Sequence, residues 1–92
     1  MKHINWNSIK NHALKESRGI SFEDVIFSLE KGALLDDYQH PNQQKYPGQR
    51  IMVVGINNYA YIVPYIENED EIFLKTIIPS SRATEKYLGG KP

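Results

Sequence analysis

The stretch from Arg50 to Ile66 constrains this chain more than any other. Arg50–Ile56 is rich in Ile and Val, Tyr59–Ile66 is a second apolar run, and only Asn57-Asn58 separates them. Asparagine tolerates the positive φ that a two-residue hairpin turn demands, so the spacing predicts two antiparallel strands. Pro64 marks the second arm as an edge strand or the seat of a bulge, because proline has no N–H for a ladder.

The elements around this hairpin read less uniformly. Lys2 to Asn5 fits a short edge strand. Asn7 or Ser8 supplies an N-cap, Ile9, Ala13 and Leu14 form a thin apolar stripe at helical spacing, and Gly19 ends the helix. Ser21 with Asp24 three residues on approximates a capping box, opening the single-faced run Phe22, Val25, Ile26, Leu29 before Gly32. Residues 33–37 suggest a short strand, and the polar stretch 38–49, with Pro41, Pro47 and Gly48, a loop. Beyond the acidic turn Glu67–Glu71, Ile72–Ile78 predicts a third solid strand, and Ser81–Leu88 a short terminal helix. Helices first and a meander after them predict an α+β fold: two N-terminal helices on one face of an antiparallel sheet of about four strands, with a short C-terminal helix.

A length of 92 residues allows one domain, 1–92, and no second core. No apolar run approaches the roughly 18 residues of a membrane helix, and His3, Asn5 and Asn7 interrupt any signal-like start, so no membrane partner is expected. The lack of cysteine fits a reducing cytoplasm and removes thiolate metal sites. Eleven basic and eleven acidic residues balance to a formal charge of zero, which argues against avid nucleic-acid binding. The distribution is uneven: Lys2, Lys10, Lys15 and Arg18 crowd the first 18 residues, and Glu67, Glu69, Asp70 and Glu71 form an acidic turn.

Two blocks at the ends of the chain carry a family likeness. Trp6, Lys10, Gly19, Ile20, Ser21, Phe22, Glu23 and Asp24 match the opening of the BrnT family in type and spacing. Arg50 opens a strand as that family's mid-chain arginine does, and Ile77, Ile78, Ala83 and Thr84 align with its closing motif. The family's two closing arginines fall on Thr76 and Ser81, with Lys75 and Arg82 next to them; Arg18 and Gln49 replace its histidine and its acidic residue. The chain thus resembles the toxin half of a bacterial type II toxin–antitoxin pair. That resemblance implies a RelE-like fold, cleavage of RNA with growth arrest, and a cognate DNA-binding antitoxin as partner.

RNA cleavage without a metal needs a base for the 2′-hydroxyl, cations for the phosphorane and an acid for the leaving oxygen. For such chemistry the catalytic candidates are Arg50, Lys75, Arg82 and Tyr87, and the RNA-binding candidates Lys10, Arg18, Trp6 and Tyr61. His12 is a further proton-transfer candidate. Each residue also has a plainer reading: Trp6 as a core anchor, Tyr59, Tyr61 and Tyr65 as one half-buried strand face, Arg50 and Lys75 as surface cations. Arg82 sits unfavourably at a helix start unless an anion or partner faces it. Asp36, Asp37 and His40, with His3, make a thin case for a metal, and neither metal nor cofactor is expected. A non-catalytic protein-binding module with the same fold is the alternative function, using the tyrosine strand as its interface.

Overall fold

The computed structural model describes residues 2–89. The elements run β1 (His3–Trp6), α1 (Ser8–Arg18), α2 (Phe22–Glu30), β2 (Leu34–Gln39), β3 (Gln49–Ile56), β4 (Tyr59–Glu67), β5 (Glu71–Leu74), β6 (Ile78–Pro79) and α3 (Ser81–Leu88). The α+β class holds, with three helices on a six-stranded sheet in the order β1-β5-β4-β3-β2, β6 pairing β4.

The central hairpin forms as its sequence predicts. Asn57 and Asn58 take φ of 53° and 64°, and β3 pairs β4 antiparallel from Ile56↔Tyr59 to Gln49↔Ile66. Pro64, however, lies mid-sheet. β4 pairs β6 at Tyr61 and Ile62 and β5 from Tyr65 onward, so Pro64 falls where the partner changes. Its carbonyl accepts the Lys75 N–H at 2.8 Å, so its missing N–H would have pointed into that same gap, and no bond to β3 is lost. The predicted strand 72–78 is accordingly split into β5 and β6, with Ile77 between them turned fully into the core.

Two other features depart from expectation. β1 runs parallel to β5, His3 opposite Glu71 and Trp6 opposite Leu74, so the sheet is mixed. Lys2 donates to Glu67 at 2.6 Å and Asn5 to Glu71, bracing this pairing. And the helices occupy both faces. α1 and α2 cover Met52, Val54, Val63, Tyr65 and Leu74, with Leu14, Phe22 and Val25 filling the space between. α3 lies against Ile51, Val53, Ala60 and Ile62 on the other side. An eight-residue helix carries no sequence mark for which face of a sheet it will cover.

α1 shows why its apolar stripe misleads. Ile9 is 80% exposed, and the residues turned inward are Asn11 and Leu14. Asn11 faces in because it caps the neighbouring helix. Its Oδ1 accepts the Phe22 N–H at 2.7 Å, one of the first-turn amides a helix cannot satisfy itself, and its Nδ2 donates to Glu23 at 2.8 Å. Ser21 completes the predicted capping box with Asp24. Gly19 ends α1 at φ 65°, a left-handed conformation that a side chain would disfavour.

Candidate functional site

Asp36 and Asp37 are consecutive on β2, so their side chains leave opposite faces of the sheet. Each captures a tyrosine hydroxyl, and the two resulting constellations are chemically different.

On the α1/α2 face, Asp37 meets Arg50 and Tyr65. The Tyr65 hydroxyl donates to Asp37 at 2.7 and 2.8 Å, and the Arg50 guanidinium reaches Asp37 at 3.2 Å and the Tyr65 oxygen at 3.2 Å. Register explains the meeting: Arg50 pairs with Tyr65 across β3–β4, and Asp37 with Met52 across β2–β3. Burial pushes the Tyr65 phenol up to about 12, reinforced by its bond to Asp37. The Tyr65 hydroxyl, more than any other neighbour, raises the Arg50 guanidinium further still. This is a closed polar triad in which every member already has partners.

On the α3 face lies a groove of about 430 Å³, formed where α3 leaves part of the sheet uncovered. Asp36, Tyr38, Ser80, Arg82, Lys86 and Tyr87 supply its polar groups, with Val53 and Ile62 beneath. Ser80 caps α3 through the Ala83 N–H at 3.0 Å. Thr84 pins the helix to the sheet, its Oγ1 accepting the buried Ala60 N–H at 2.9 Å. The Tyr87 hydroxyl donates to Asp36 Oδ2, while Asp36 Oδ1 accepts the Asp37 N–H at 2.8 Å. These two bonds, Tyr87 first, hold the Asp36 carboxyl below the usual carboxylate range. The same contact raises the Tyr87 phenol, so its hydroxyl stays protonated and bound to Asp36. Lys86 Nζ lies 5.1 Å from the Tyr87 ring centroid, and Arg82 is exposed at the groove's rim.

The predicted site residues are therefore dispersed. Arg82 and Tyr87 share the groove, whereas Arg50 belongs to the triad on the opposite face. Lys75 is exposed beyond β5, its ammonium 5.7 Å from the Phe73 ring. Lys10 and His12 are exposed on α1. Arg18 donates to the Ile77 carbonyl at 2.6 Å, fastening the end of α1 to the segment before β6. Trp6 stacks on Phe22 at 5.7 Å, and Tyr61 packs against the same core with its ring edge-on to Tyr59. Asp36, Asp37, His40 and His3 do not converge: His3 lies on the opposite edge strand, and His40 Nδ1 accepts the Asn42 N–H. Among the described residues no three metal-ligating side chains gather.

Sequence reasoning did not bring Asp36, Tyr38 and Lys86 together with Tyr87. A signal existed in part, since two adjacent aspartates on a strand must serve opposite faces. A larger cleft of about 610 Å³ lies between α2 and the hairpin turn, with Asp24, Phe27, Lys31 and Asn58 on its walls and none of the predicted site residues.

Residues 9–79 match the family model of DUF4258, a domain of unknown function, and the chain belongs to that family. No curated protein and no solved structure matches it. The match stops short of Ser80, so Asp36 and Tyr38 fall inside it and all of α3 outside.

Proposed function

We propose that this DUF4258 domain is the toxin component of a bacterial toxin–antitoxin pair, a cytoplasmic, metal-independent endoribonuclease that inhibits translation and is neutralised by a DNA-binding antitoxin. The α3 groove is the observation that supports this reading. It sets Arg82 and Lys86 beside the rings of Tyr38 and Tyr87 in an open concavity. Cations for phosphates beside aromatic faces for bases are what a single-stranded RNA requires.

In that groove the 2′-hydroxyl of a ribose attacks the adjacent phosphorus as its proton passes to water, the P–O5′ bond breaks, and the 5′-oxygen takes a proton from water, leaving a 2′,3′-cyclic phosphate. Arg82 and Lys86 stabilise the charge that accumulates on the phosphorane. Tyr87, its hydroxyl proton held by Asp36, serves through its ring, as a face on which a base stacks. Arg50 stays with Asp37 and Tyr65 and supports β2 against β3 and β4. The likeness of the end blocks to BrnT toxins supports the partner: a small DNA-binding protein encoded beside this gene.

The test is inducible expression in bacteria with growth and total RNA followed over time. Arrest with RNA loss, abolished in an Arg82→Ala/Lys86→Ala variant of unchanged circular dichroism, is the expected result. Arrest that survives the double variant removes the groove from the mechanism.

A protein-binding module without catalysis is the second reading, and one observation favours it: Arg50 and Tyr87, two of the four predicted catalytic groups, are already engaged by Asp37 and Asp36. Normal growth at full soluble expression, with co-purification of the adjacent gene's product, would select it.

A further inference from the structure

We infer that the α3 groove selects guanine, with Asp36 reading the base. This inference rests on the RNA reading above and specifies which nucleotide the groove takes.

The groove carries one anionic group among cations and aromatic rings, which is unusual for a surface whose task is only to hold phosphates. Asp36 is half-buried in the wall, and its two oxygens each accept one bond, from Tyr87 and from the Asp37 amide. A carboxylate oxygen has two lone pairs, so each oxygen keeps one acceptor position. The two existing bonds fix the plane of the carboxylate, making Asp36 an oriented, acceptor-only fork.

Among the four RNA bases only guanine matches such a fork. Its Watson–Crick edge presents two adjacent donors, N1–H and N2–H. Adenine offers one amino group beside an acceptor, cytosine likewise, and uracil a single N–H between two carbonyls. Each of these sets an acceptor against a carboxylate oxygen, a repulsive contact. The remaining polar lining fits the rest of a guanosine nucleotide: Arg82 and Lys86 face the flanking phosphates, and Tyr38 and Tyr87 supply ring faces for the base. With two cations in its lining the groove releases few counterions, so selective base contacts carry a larger share of its affinity.

The test uses fluorescein-labelled uridine heptamers with G, A, C, U or inosine at the centre, 2′-O-methylated throughout so that binding is measured without cleavage. Anisotropy titrations should show the G heptamer binding about tenfold tighter than those with A, C or U, the range expected for a bidentate contact. Inosine keeps N1–H and lacks the N2 amine, so it should bind well below guanosine on the unaltered protein. Asp36→Asn should bring all five heptamers within threefold of one another, and Arg82→Ala should weaken all five in parallel. Equal binding of all heptamers, or inosine equal to guanosine, overturns the guanine assignment and leaves the RNA-binding groove standing. Binding of none overturns both.

Discussion

The two faces of the sheet are built differently. On the α1/α2 face, Phe22, Val25, Val54, Val63, Leu74 and Ile77 are all fully buried, and Trp6 and Phe22 stack. On the α3 face one short helix is held by Ala83 and Leu88 packing, by Thr84 bonding to Ala60, and by Tyr87 bonding to Asp36. The first face is closed by volume, the second by polar pins with a groove beside them. Stability is thus concentrated on one side and accessible chemistry on the other. A small domain has only one core's worth of apolar area to commit.

Mutations should expose this asymmetry in descending order. Phe22→Ala, in the closed face, should cost about 3–5 kcal/mol in urea denaturation and leave little folded protein. Asn11→Ala removes the acceptor of the buried Phe22 N–H and the donor to Glu23, and should cost about 2–3 kcal/mol by the same assay. Thr84→Val keeps shape but orphans the Ala60 N–H, for about 1–2 kcal/mol; a loss as large as that of Phe22→Ala would mean that α3 is core and break the contrast.

The Asp37–Arg50–Tyr65 triad gives a pH signature. The Tyr65 phenol is raised from its ordinary 10.0 to about 12 in the folded protein, so its contribution is complete below pH 10. As pH climbs from there toward 12 the unfolded chain ionises first, and stability falls. Tyr65→Phe should flatten that decline in thermal melts across the range. Arg82→Ala, at the groove's exposed rim, should alter stability by less than about 0.5 kcal/mol while weakening RNA binding.

What was legible in the sequence follows the range of the interactions. The capping box at Ser21–Asp24 and the Asn57-Asn58 turn lie within four residues, and both formed as read. The inward turn of Asn11 was hidden, because its partner Phe22 is an amide on another helix. The division of Ile72–Ile78 into two strands depends on Pro64, which only register reveals as a neighbour. For the site, Arg82 and Tyr87 were named from the sequence. Asp36, the residue that orders the Tyr87 hydroxyl, was grouped instead with Asp37 and His40 by proximity along the chain. Adjacent in sequence proved to mean opposite in space, as the two-residue period of a strand requires.

The parallel pairing of β1 with β5 has a consequence for how the protein is made. His3–Trp6 leave the ribosome well before their partners Glu71–Leu74, with α1, α2 and three strands made in between. β1 must therefore wait, unpaired, while those elements are made, and the sheet closes only once β5 has emerged. α3 follows β5, so the groove comes into being after that closure. A nascent chain that has not yet released α3 carries no groove, and whatever the groove does waits on that helix.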